Sequence, residues 1–108
     1  MEHYLVYTTC PSQEQAKTMA ATLLQERLIA CANIFAGSTS LYWWQGELCE
    51  ATETLCLCKT TKTCYPALEQ RIKTLHPYEV PCIVALPLTE GFAPFLQWIT
   101  AETNSTTP

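Results

Sequence analysis

The sequence predicts an α+β domain of the ferredoxin-like type, a split βαβ sandwich in the order strand, helix, strand, strand, helix, strand, with one more helix at the end. Three observations point there. Two stretches, Ser12 to Arg27 and Thr63 to Leu75, repeat apolar residues at helical spacing behind start signals. Strand-like runs flank them at Tyr4 to Thr9, Ile29 to Phe35 and Val80 to Leu88. Between the two halves lies SLYWWQGELCEATETLCLCKTT, Ser40 to Thr61, which reads as two long strands turning at Gln45-Gly46.

Taken in order, YLVYTT at Tyr4 to Thr9 is apolar and β-branched, and Cys10-Pro11 ends it. Ser12 to Gln15 reads as a capping box, the Ser12 hydroxyl accepting from the Gln15 amide and the Gln15 side chain reaching back. Ala16, Met19, Ala20, Leu23 and Leu24 then make one apolar stripe that predicts a helix to about Arg27. The second strand passes through Gly37, which predicts a bulge or bend, into the hairpin. Gly46 supplies the positive φ of a two-residue loop, although Gln45 is a weaker partner than Asn or Asp. Thr63, with Pro66 in the first turn, opens a second helix whose inner face is Leu68, Ile72 and Leu75. His76-Pro77 stops it, because a residue before proline is pushed out of the helical region. VPCIVALPL, Val80 to Leu88, is almost continuously apolar, as in a strand covered on both faces or packed in an interface. Pro81 and Pro87 fall near its ends. Gly91 and Pro94 precede a short third helix with Phe95, Leu96, Trp98 and Ile99, and the tail from Thr103 to Pro108 is expected to fray.

The hairpin is long for its domain. Each arm of about 14 residues reaches roughly 45 Å, against a radius of gyration near ~13 Å for a chain of this length. Its tip must overhang the core. A free ribbon carrying Tyr42, Trp43 and Trp44 is marginal in water, and its edges invite association. Together with the sheet face that two helices leave uncovered, this predicts packing against another copy of the chain.

The 108 residues, 48% hydrophobic and 15% charged, fit one domain spanning 1–108. A net charge of -4 without a Lys/Arg cluster argues against nucleic acid or an anionic membrane as the main partner. Met1-Glu-His-Tyr lacks the features of a signal peptide, and no apolar run reaches the roughly 18 residues of a membrane span, so a cytoplasmic location is expected. Seven cysteines, an odd number without zinc-site spacing, read as reduced and largely buried thiols. Cys56 and Cys58 share a strand face, a pair that would need further ligands to hold a metal.

Catalytic signatures are missing. The three glycines form no phosphate loop and no nucleophile elbow, and no acid-base or nucleophile pair can be named, so the chain reads as a non-enzyme. His76-Pro77-Tyr78-Glu79 sets an imidazole, a phenol and a carboxylate between apolar segments. It is either a site for a metal or small anion, or a helix C-terminus where His76 meets the dipole. Glu53 and Lys59 share strand parity with Leu55 and Leu57 between them, and Tyr42 and Trp44 join that face across the loop. A carboxylate and an ammonium there are either a buried interface pair or the polar groups of a ligand pocket.

Several segments, in order and spacing, resemble the CutA family, also called CutA1 or divalent-cation tolerance protein. They are TTCP at Thr8 to Pro11, ACANI at Ala30 to Ile34, SLYWWQGEL at Ser40 to Leu48, Glu53, LCLCKT at Leu55 to Thr60, HPYEVP at His76 to Pro81, and Trp98. The likeness runs from Tyr4 to about Ile99. It implies a tight homotrimer with hairpins paired between subunits and clefts at their boundaries. It also implies tolerance to copper and other divalent cations, with copper binding and no organic cofactor. Residue by residue, Cys31, His76 and Glu53 become candidate metal ligands, soft and borderline donors suiting copper. Lys59, Tyr78 and Trp44 become cleft residues, and Tyr42, Trp43 and Trp44 the trimer interface. Leu75 stands where some relatives carry a second histidine, and Cys82 where the family often has a carboxylate. Cys82 is read as a core residue rather than a substitute ligand. The leading expectation is a trimeric, metal-responsive protein. The alternatives are a sensor like the nitrogen-regulatory PII proteins, holding a small anion with Lys59 and backbone amides, and a trimeric scaffold for a protein partner.

Overall fold

Gln45 and Gly46 both take positive φ, 51° and 81°, the two-residue corner whose twist matches that of its strands. It joins β2 (Cys31–Trp44) to β3 (Glu47–Thr61). The remaining elements of this computed structural model, which describes residues 1–104, are β1 (His3–Cys10), α1 (Gln13–Gln25), α2 (Tyr65–Leu75), β4 (Ile83–Leu88) and α3 (Ala93–Glu102). All four strands form one antiparallel sheet in the order β2-β3-β1-β4, the split βαβ order that the sequence predicts.

The sheet divides the strands' side chains between two environments. Val6 and Thr8 of β1 stand opposite Cys58 and Cys56 of β3, and all four are fully buried. Ala16, Met19, Ala20 and Leu23 of α1, with Leu68 and Ile72 of α2, close over them and complete the core. Phe35, Val84 and Leu86 lie half exposed on the other strands. The hairpin extends the sheet beyond this sandwich, and the molecule's longest dimension is 43 Å against a radius of gyration of 14.3 Å. Leu41, Trp43 and Leu48 near its tip are more than two-thirds exposed.

Several element ends differ from expectation, each for a local reason. Ser12 Oγ accepts from the Gln15 amide at 3.1 Å as predicted. The helix stops at Gln25 because Arg27 enters the left-handed region, φ 62°. There the amides of Arg27 and Leu28 bond the carbonyls of Leu24 and Leu23, the closing motif glycine usually supplies. Leu24 falls off the buried stripe and is partly exposed. The second strand begins at Cys31 rather than Ile29, since Leu28 to Ala30 form a buried connection bonded to Thr60 Oγ1 and the Lys59 carbonyl. The second helix begins at Tyr65 after a turn at Lys62 to Cys64, with Pro66 in its first turn. The last strand begins at Ile83 rather than Val80, since Pro81 has no amide hydrogen for the ladder. It is an edge strand with half-exposed Val84 and Leu86, so within one chain it is not covered on both faces. Thr103 and Asn104 do not fray: Thr103 Oγ1 donates to the Ile99 carbonyl and the Asn104 amide to that of Arg27. Ser105 to Pro108 lie outside the described residues.

Candidate functional site

The bulge fixes which side chains meet at the root of the hairpin. It lies on β2, between Phe35 and Ser38, with Gly37 at φ 85°, so the alternation of β3 runs on undisturbed. Ser38 pairs with Glu53, Tyr42 with Cys49 and Trp44 with Glu47. Tyr42, Trp44 and Glu53 therefore share one face, as the parity predicts.

The other wall comes from the end of α2. His76 leaves the helix in extended conformation, ψ 137°, as a residue before proline must. Its Nε2 lies 2.7 Å from the Thr9 carbonyl, which can only accept. Its Nδ1 accepts from the Tyr78 amide at 3.2 Å. Together these bonds assign the Nε2–H tautomer and engage both ring nitrogens. The Tyr78 ring lies against the imidazole, centroids 4.7 Å apart, and its hydroxyl donates to Glu53 Oε2 at 2.9 Å. Burial, then this bond and the charge of Glu53, push the Tyr78 phenol up to about 12, so it stays a donor. Burial and then the same charge push the Cys82 thiol up.

These groups enclose a cleft of about 780 Å³ lined by Tyr7, Tyr42, Trp43, Trp44, Tyr78 and Glu53, with Glu79 and Cys82 alongside. Of the predicted site residues, Glu53, Tyr78 and Trp44 come together here, while His76 sits behind and positions Tyr78. Lys59 and Cys31 do not join them. Cys31 pairs with Lys59, six residues along β3 from Glu53, a distance of about 20 Å. The Lys59 ammonium donates instead to Asn33 Oδ1 at 2.7 Å. Within one chain Cys31, His76 and Glu53 thus make no ligand set. Among the described residues, no group of three or more His, Cys, Asp or Glu could hold a metal ion.

Cys82 is exposed at the cleft, not in the core, because the strand starts one residue later. Tyr7 was missed as a cleft residue, although its parity on β1, opposite Leu57, puts it on the Glu53 face. Of the other thiols, Cys10, Cys56, Cys58 and Cys64 are buried and Cys31 and Cys49 half-buried. Cys56 and Cys58 share a face as predicted, their sulfurs 3.7 Å apart. No helix among the described residues is long and apolar enough to cross a membrane.

A four-stranded split βαβ sheet, an overhanging ribbon and an acidic aromatic cleft at its root define the class of protein. The chain belongs to the CutA1 divalent ion tolerance protein family, whose profile matches residues 4–102. It is 52% identical over 100 residues to the divalent-cation tolerance protein CutA of Thermus thermophilus, covering 93% of this chain and 97% of that protein. It is 39% identical over 99 residues to the human Protein CutA, covering 92% of this chain but only 55% of the human protein. Among solved structures, the Thermus thermophilus divalent cation tolerance protein superposes with a TM-score of 0.92 at 50% identity, covering 94% of this chain and 99% of that one. Oryza sativa CutA1 superposes with a TM-score of 0.94 at 35% identity, covering 98% and 97%.

Proposed function

We propose that the chain works as a homotrimer that responds to divalent metal ions, copper or an ion of similar softness, through the cleft around Glu53. It does so in the cytoplasm, where its thiols stay reduced, and without catalysing a reaction. The observation that carries this reading is the sign of the cleft. Its charged side chains are Glu53 and Glu79, while Lys59 stands outside it. Such a cleft favours a cation over the small anion that a Lys59 site would hold.

The donors that one chain brings to the cleft are incomplete. Glu53 and Cys82 line it together, both nitrogens of His76 are engaged, and Cys31 lies at the far end of the sheet. A metal there takes further ligands from a neighbouring subunit, or from His76 once a bond to Thr9 or Tyr78 is given up. The apolar sheet face and the exposed Trp43 support assembly, since neither is covered within one chain.

Native mass spectrometry of the reduced protein tests this, with anaerobic titration of Cu(I), Cu(II) and Zn(II) beside Glu53→Gln, Cys31→Ala and His76→Ala. The expected spectrum is a trimer that binds metal in threes and loses it in Glu53→Gln. A monomer, or uptake indifferent to all three substitutions, would refute it.

A further inference from the structure

We infer that Cys56 and Cys58 form a metal site in the core of the subunit, which takes one soft monovalent ion, Cu(I), between two thiolates, with the Thr8 hydroxyl as donor to one of them. The site is separate from the cleft at Glu53. Cys56 and Cys58 face the helix layer, on the other side of β3 from Glu53, so neither the rings of the ribbon nor a neighbouring copy of the chain takes part.

Two observations meet at this place. The Cys56 and Cys58 sulfurs are 3.7 Å apart, and both residues are at 0% exposure. Opposite Cys56 on β1 stands Thr8, also at 0% exposure. Among the described residues, Thr8 Oγ1 is the one buried side-chain nitrogen or oxygen without a hydrogen-bond partner. Directly opposed residues on one sheet face have Cβ atoms about 4.5–5.5 Å apart, which sets this hydroxyl beside the thiol pair. A hydroxyl kept unpaired in a core is destabilising, and valine would fill the same space without that cost. A thiol is a weak acceptor. The hydroxyl gains a strong one when a thiolate forms next to it.

The number of ligands selects the ion. Among the described residues no group of three or more His, Cys, Asp or Glu could hold a metal ion, so an ion at the pair has two protein ligands. Zn(II), which takes four, is left unsatisfied. Cu(I) is soft, favours thiolates over harder donors and is content with two of them. Metal–thiolate bonds of about 2.3 Å put the sulfurs of a linear pair about 4.6 Å apart, roughly 1 Å beyond their present separation. On binding, both S–H protons leave to solvent and two Cu–S bonds form. The complex carries one negative charge in an apolar layer, and the Thr8 O–H is the donor that offsets it. Ala16, Met19, Ala20, Leu23, Leu68 and Ile72 close over the pair, so the ion enters through local opening of the helix layer.

The test is anaerobic titration of the reduced full chain with Cu(I) in competition with bicinchoninate, read by native mass spectrometry. Glu53→Gln, whose cleft lacks its carboxylate, should still take one Cu(I) per subunit, with two sulfur neighbours in X-ray absorption and no nitrogen or oxygen. Zn(II) should not displace it. Cys56→Ala or Cys58→Ala should lower affinity by more than the roughly 10–100-fold that outer-shell changes cost, and Thr8→Val by about tenfold. Without metal, Thr8→Val should melt no lower than the parent, since it removes an unpaired hydroxyl; its effect on binding is then not one on folding. Replacing together the three thiols that reach water, Cys31→Ala, Cys49→Ser and Cys82→Ser, should leave the core ion in place, and this variant decides the matter even where Cys56→Ala or Cys58→Ala fails to fold. No Cu(I) in Glu53→Gln, nitrogen or oxygen neighbours, loss of the ion with the three outer thiols, or unchanged affinity in Cys56→Ala or Thr8→Val would overturn the inference. The metal reading of the cleft fails separately, through Cu(II) and Zn(II) uptake that is indifferent to Glu53→Gln.

Discussion

The two sides of β3 carry the same alternation and meet opposite fates. Cys56, Cys58 and Thr60 point into the helix layer and are fully buried, whereas Leu55, Leu57 and Lys59 keep partial access to water on the other side. One side finds its cover within the chain, in α1 and α2. The other continues into the ribbon and the cleft, where Tyr42 and Trp44 remain nearly half exposed. The difference separates residues that make the subunit from residues that give it something to bind.

The largest effect should come from the covered side. Ile72→Ala removes a fully buried side chain from α2 and should cost about 2–5 kcal/mol of stability, read as a lower denaturation midpoint. Leu86→Ala, on the half-exposed face, should cost under ~1 kcal/mol in the same assay at concentrations where the subunit is dissociated. Equal losses would erase the contrast between the faces.

A smaller change in subunit stability, with a larger one in assembly, is expected for Trp44→Ala. Trp44 pairs with Glu47 beside the turn, away from the core. Sedimentation across a dilution series should show dissociation at higher concentration than the parent, with secondary structure retained. A variant that stays assembled and melts as the parent does would place the ribbon outside the interface.

The smallest effect is the alkaline limb at the cleft. Tyr78 holds its proton to about 12 when folded, against about 10 in an unfolded chain. Between those values the unfolded chain binds fewer protons, so stability falls as pH rises. The contribution is whole below about pH 10 and lost as pH rises through about 12. Tyr65, also raised to about 12 by burial and then by its bond to Glu69, acts the same way from the helix side. Tyr78→Phe should make the loss between pH 10 and 12 shallower, leaving the part due to Tyr65; an unchanged slope would show that the cleft phenol is not held.

Much of this was legible because the relevant signals are local. Ser12, Gly37, the Gln45-Gly46 corner and the pre-proline exit at His76 each declare a backbone state through their own chemistry. The parity of β3 also held, since the bulge fell on its partner. Parity gives a face and no distance, however. Glu53 and Lys59 share a side but stand at opposite ends of it, so the parity that groups them does not bring Lys59 to the cleft within one chain, and Cys31, a candidate only through the family resemblance, pairs with Lys59 at that far end. The end of α1 was hidden because an arginine takes the conformation that glycine usually announces. Cys82 was misplaced because an apolar run shows neither where pairing starts nor which strand is the edge.

The beginning and end of the described chain meet at one corner. His3 Nε2 and Thr100 Oγ1 are 2.8 Å apart, and the Asn104 amide bonds the Arg27 carbonyl while Arg27 pairs with Glu102. The polypeptide is thus close to a closed ring, and the order in which its elements are connected is separable from the order in which they pack. A circular permutant opened at Gln45-Gly46, with residues 1 and 104 bridged by a short flexible linker, would keep every strand pairing of the sheet and lose only the corner of the ribbon.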